Sequence, residues 1–128
     1  MKHFMCEKCG TIITTVNFSG NPISCCKEKM EELVPNTKEA SVEKHSPRIK
    51  VRGKTVTVTV GEDSNMHPQT KEHRVEWVCL VTDHGTQRKM LPEDGEPVVS
   101  FGLTDGEKVI KAFAFCNLHG VWMSKAAE

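Results

Sequence analysis

Twelve side chains in this 128-residue chain, six cysteines and six histidines, are of types that bind transition metals. Cys6 and Cys9 form a C-x-x-C pair followed by Gly10, and Cys25 and Cys26 are adjacent, with fifteen residues between Cys9 and Cys25. An ion that takes tetrahedral thiolate coordination needs two pairs of ligands brought together, and a C-x-x-C turn supplies one pair naturally. The adjacent pair is less usual, because neighbouring side chains diverge and must be bent toward one ion. Two disulfides are the alternative, but cysteine clusters in a reducing compartment more often bind metal. Four thiolates suit zinc or a single iron, and spacing does not separate the two.

A second group follows. His45, His67 and His73 fall in or beside expected loops, and Cys116 with His119 closes an expected strand as Cys-Asn-Leu-His-Gly. Imidazoles suit iron, zinc and copper, and a single thiolate adds a strongly donating ligand. Five such ligands leave a six-coordinate ion with one open position, where a small molecule can bind; a structural site would be closed. A histidine taken singly is more often solvated or a satisfied polar residue, so the group carries this reading. Pro68 biases His67 to an extended backbone and fixes its direction. His3 and His84 have no such setting and are expected to be solvated, and Cys79, inside an apolar run, is expected to be a buried free thiol.

These residues need elements to hold them. The first 36 residues read as one small unit: Gly10, Gly20 and Pro22 punctuate short runs, and Thr11 to Val16 suits a strand. A unit below about 40 residues usually needs a metal or disulfides. A linker with Pro35 and Asn36 then leads into a second unit, residues 37–128, that is mostly β. Arg48 to Val51 and Thr55 to Val60 flank Arg52-Gly53-Lys54 as a hairpin, and Glu72 to Thr82, Val98 to Leu103 and Lys108 to Cys116 are further strands. Short strands at this spacing, with turn residues between them, indicate an antiparallel sandwich.

Composition excludes several classes. Lys plus Arg and Asp plus Glu both number 17, so the net charge of zero argues against a nucleic-acid partner. The longest apolar runs, Trp77 to Val81 and Ala112 to Cys116, fall far short of a membrane span. No apolar stretch precedes Cys6 that could serve as a signal peptide, so a cytoplasmic location is expected.

Together, Cys6-x-x-Cys9, Cys25-Cys26, Glu43-Lys44-His45, His67-Pro68, His73 and Cys116-Asn117-Leu118-His119-Gly120 resemble desulfoferrodoxin, the two-iron form of superoxide reductase. The resemblance spans nearly the whole chain. It implies a small rubredoxin-like or desulforedoxin-like module holding one iron through four cysteines, followed by an immunoglobulin-like antiparallel β-sandwich with a second iron. His45, His67, His73 and His119 are then its equatorial ligands, His119 through Nδ1 and the others through Nε2, with Cys116 axial. Glu43 is the residue that can occupy the sixth position of the ferric ion, and Lys44, in an expected exposed loop of residues 43 to 45, is the local positive charge. The implied activity is one-electron reduction of superoxide to hydrogen peroxide at a non-haem ferrous iron, without forming dioxygen. A rubredoxin-like electron donor and a homodimer are implied partners. Cys79 and the tail after Met123 lie outside the family pattern. A two-iron electron carrier without substrate turnover, and a zinc ribbon fused to an interaction domain, are the competing readings; the first requires saturated metals and the second a colourless protein.

Overall fold

The computed structural model describes residues 1–127. They divide into two compact units, the first ending at Val34 and the second beginning at Pro35.

In the first unit, β1 (His3–Met5), β2 (Ile12–Thr14), β3 (Ser24–Cys25), β4 (Glu28–Lys29) and β5 (Glu31–Glu32) are all very short. They form an antiparallel sheet of order β2-β1-β5 and a separate β3-β4 hairpin. Phe4, Cys6 and Met30 are buried, with Ile13, Phe18, Ile23 and Cys25 packed against them. Three buried residues make a small core, and such a unit needs an internal cross-link. His3 is not solvated as expected. It is 2% exposed and lies on β1, the middle strand between β2 and β5. His84, by contrast, is exposed.

The second unit opens with one helical turn, α1 (Val42–His45). Residues 43 to 45 are thus helical, a correction to the expected loop; Ser41 caps the turn by accepting from the Lys44 N–H. The strands are β6 (Pro47–Arg52), β7 (Thr55–Glu62), β8 (Asn65–Met66), β9 (Val75–Thr82), β10 (Gly85–Met90), β11 (Val98–Gly102), β12 (Val109–Cys116) and β13 (Gly120–Lys125). Two antiparallel sheets result, β10-β9-β12-β13 and β11-β7-β6, with β8 paired to β7. Their facing residues, Val56, Val58, Val60, Val75, Val78, Leu80, Leu91, Phe101, Ala112 and Ala114, form one core, and Cys79 is buried as expected. Mostly β architecture with a sandwich is therefore the fold. The strand expected over residues 72 to 82 begins only at Val75, and β13 carries the expected tail on to Lys125. Asn36 does more than link. It has a positive φ of 62°, and its side-chain amide exchanges two hydrogen bonds with the Met123 backbone, at 2.9 and 3.2 Å.

Candidate metal centres

The two cysteine pairs of the first unit sit on two turns. After β1, the Gly10 N–H donates to the Cys6 carbonyl at 2.8 Å and the Cys6 N–H to the Thr11 carbonyl at 2.8 Å, with Gly10 at φ 81°. The β3-β4 hairpin turns at Cys26 and Lys27, whose φ values of 53° and 61° are both positive. A two-residue turn of this kind matches strand twist, yet here no glycine supplies it. Left-handed backbone at two non-glycine residues costs roughly 1–3 kcal/mol each. It is also what swings Cys26 beside Cys25. The four Sγ atoms lie within 4.8 Å of one another, with Cys9 to Cys25 at 3.6 Å and Cys25 to Cys26 at 3.9 Å. Thiolates about 2.3 Å from a shared tetrahedral ion stand about 3.8 Å apart, so the set fits one ion. All four cysteines are free, which removes the disulfide alternative. The Thr11 hydroxyl, 3.1 Å from Cys9 Sγ, holds the Cys9 thiol down to about 6, while the hydrogen bonds that the Cys25 thiol donates to Cys6 and Cys9 push Cys25 up to about 12. One thiolate thus forms readily and makes its neighbours harder to ionise, a repulsion that a cation relieves.

In the second unit, His45 comes from the end of α1, His67 from just after β8, His73 from the loop before β9, and Cys116 and His119 from the β12-β13 turn. The donor atoms of His45, His73, Cys116 and His119 lie within 4.8 Å of one another. His67 joins them through Nε2, 3.2 Å from Cys116 Sγ, and its ring centroid is 4.7 Å from those of His45 and His73. His45 Nε2 and His119 Nδ1 are 3.1 Å apart, close to the spacing of two ligands at right angles, each about 2 Å from one ion.

Hydrogen bonds fix which ring nitrogens can bind. His45 Nδ1 donates to the Ser41 carbonyl at 2.7 Å and His67 Nδ1 donates to the Pro68 carbonyl at 2.7 Å. A carbonyl only accepts, so each Nδ1 carries the proton and each Nε2 keeps its lone pair. His73 Nε2 is buried without a hydrogen-bond partner. An orphaned buried nitrogen beside three other imidazoles and a thiol is what a missing cation leaves behind. Burial lowers the proton affinity of His45, His67 and His73, with His67 brought to about 4, so these rings are neutral near pH 7. Burial also pushes the Cys116 thiol up, so metal binding must displace its proton. His45, His67 and Cys116 are buried, while His73 and His119 are half-buried. Glu43 and Lys44 are exposed on α1.

Sequence reasoning did not find the residues that hold these donors. Ser41 caps α1 and accepts from His45, and Trp122 donates from Nε1 to the His119 carbonyl at 3.1 Å with its ring 4.9 Å from that of His45. Asn117 accepts from the Arg74 N–H at 2.9 Å and donates to the Glu72 carbonyl at 2.9 Å, tying the His73 loop to the Cys116 turn. A serine before a short polar run is a readable cap signal; the other two leave none in a single sequence.

One small unit with four convergent thiols, followed along the chain by a sandwich whose loops gather four imidazoles and a thiol, defines a two-metal β protein. The desulfoferrodoxin family model matches residues 37–125, and the chain belongs to that family. The desulfoferrodoxin homolog of Archaeoglobus fulgidus is 33% identical over 124 residues, covering 97% of this chain and 96% of its own. The crystal structure of the superoxide reductase from Treponema pallidum superposes with a TM-score of 0.81 at 39% identity, covering 98% of this chain and all of that one. The one-iron superoxide reductase from Giardia intestinalis gives a TM-score of 0.56 at 36% identity over 67% of this chain and 99% of its own. As in the family, this chain has two iron sites, one of four cysteines and one of four histidines and a cysteine. No helix among the described residues is long and apolar enough to cross a membrane.

Proposed function

We propose that this chain reduces superoxide to hydrogen peroxide at the iron held by His45, His67, His73, His119 and Cys116, without releasing dioxygen. The observation that carries the reading is the donor set itself: five convergent donors, four imidazoles of which two are buried and two half-buried, and one thiol. Ferrous iron supplies the single electron and, with four neutral imidazoles and one thiolate, presents a formal charge of +1 to an incoming anion. The reaction consumes one electron and two protons per superoxide and yields one peroxide. The Cys116 thiolate pushes electron density toward the centre, as thiolates do in other iron enzymes. Lys44, exposed on α1 next to His45, adds positive charge at the mouth and organises the water that delivers protons. Glu43, its neighbour, supplies the carboxylate that caps the oxidised site. Cys6, Cys9, Cys25 and Cys26 hold the first iron. The electron donor is a small rubredoxin-like carrier, and the chain works as a cytoplasmic homodimer.

Cys116→Ser tests the assignment. Oxygen donates less than sulfur, so the variant should lose the thiolate-to-iron charge-transfer band of the oxidised second site, and either its iron or its turnover. An unchanged spectrum and rate would show that the second iron does not take its sulfur donor from Cys116.

A further inference from the structure

Gln69 is among the few buried polar residues of the chain, 7% exposed, and lies two positions after His67. Its side-chain amide is fully engaged. Nε2 donates to the Val75 carbonyl at 2.9 Å and to the Pro92 carbonyl at 2.7 Å, and Oε1 accepts from the Val75 N–H at 3.0 Å. The amide thus pairs with Val75 on both sides, as a strand residue would. Val75 is the first residue of β9, and its partner across the ladder is Cys116. The loop that Gln69 closes, residues 67 to 75, carries both His67 and His73.

Within that loop Thr70 and His73 bond to each other. Thr70 donates its N–H to the His73 carbonyl at 2.9 Å, and its hydroxyl accepts from the His73 N–H at 3.1 Å. At the near end the His67 N–H donates to the Val60 carbonyl at 3.0 Å. The Gln69 amide joins the loop to Val75, the β9 residue opposite Cys116, while Asn117 joins Glu72 and Arg74 to the β12-β13 turn. We infer that Gln69 is a positioning residue for the second iron: its amide fixes the His67–His73 loop against the start of β9 and so sets both imidazoles relative to the Cys116 sulfur. This rests on the iron reading above. Outer groups that orient ligands in this way typically matter 10–100-fold for metal affinity or activity.

Two variants of the full chain separate positioning from mere packing. Gln69→Leu keeps the bulk and removes all three bonds, leaving two carbonyls and an N–H without that partner. Gln69→Glu keeps the acceptor for the Val75 N–H and removes the donors. With a strong chelator, second-site iron should leave Gln69→Leu about 10-fold faster than the parent, and Gln69→Glu at an intermediate rate. The electron paramagnetic resonance signal of the oxidised second iron should shift, while the absorption and release rate of the four-cysteine iron stay as in the parent. Hydrogen exchange read by mass spectrometry should rise in the peptide spanning residues 67 to 75. Unchanged second-site release and signal in Gln69→Leu, or equal acceleration at both sites, overturns the inference; if Gln69→Leu does not fold, the same results in Gln69→Glu overturn it. A parent chain that holds no iron at the second site sinks the iron reading instead, and exchange in the 67–75 peptide still decides whether Gln69 holds the loop.

Discussion

The Ser41 and Pro68 carbonyls each accept a hydrogen bond from a ring Nδ1–H, and those two bonds decide the chemistry of His45 and His67 before any metal arrives. Both rings then offer Nε2, and both are neutral near pH 7 because burial opposes their protonation. The donors themselves were legible from sequence, since cysteine and histidine are scarce and their grouping is not accidental. Their supports were not: Gln69, Asn117 and Trp122 are ordinary polar and aromatic residues until a fold brings them beside a ligand. Glu43 and Lys44 are adjacent and opposite in charge, and both are exposed on α1. Lys44→Ala should slow the reaction of the reduced protein with superoxide by roughly 3–10-fold and flatten its dependence on ionic strength, because it removes a steering charge. Glu43→Ala should leave that rate nearly unchanged and alter the spectrum of the oxidised resting protein. Pulse radiolysis across a salt series checks both, and equal slowing with equal salt dependence would contradict both roles.

At the scale of elements, the apolar and β-branched runs were readable because half-buried strands alternate and buried ones do not. β10 escaped that reading: Gly-Thr-Gln-Arg-Lys-Met is an edge strand with mostly exposed side chains, so it shows no apolar period. The β3-β4 turn escaped too, since it uses Cys26 and Lys27 where glycine is usual. The late start of β9 follows from the loop before it, where His73 bonds back to Thr70 rather than to a neighbouring strand. Gly61 marks where β7 turns into β8 and aims His67. Its φ is 94°, and a Cβ there would stand 2.7 Å from the Asn65 carbonyl oxygen and the His67 nitrogen. Gly61→Ala should therefore destabilise the second unit by about 2–4 kcal/mol and weaken second-site iron retention. Urea unfolding with parallel iron analysis measures both, and a variant as stable as the parent would show that this turn can shift freely.

For the whole molecule, a net charge of zero leaves anion attraction to the local field at the second site, screened over about 8 Å at physiological salt. The same site governs how the metal-free chain responds to pH. His67 falls from 6.5 to about 4 on folding, so between those values the unfolded chain binds more protons and stability drops as pH falls. Cys116 is raised above its ordinary 9.0, so stability also drops as pH rises past that value. The metal-free second unit should be most stable between about pH 6.5 and 9, losing roughly 3 kcal/mol from His67 alone by pH 4. Trp77 and Trp122, the only tryptophans, both lie in that unit, so fluorescence-detected urea unfolding across pH reads it; a flat profile from pH 7 to 5 would contradict the burial argument.

Reduction, dismutation and simple electron carriage differ in product stoichiometry. Superoxide should be generated at a known rate over the iron-loaded protein, kept reduced by a small electron carrier, with peroxide and dioxygen both measured. One peroxide per superoxide consumed, one electron drawn from the carrier and no dioxygen released is the predicted result. Half a peroxide per superoxide, with dioxygen making up the balance, or superoxide decaying no faster than without the protein, would contradict it.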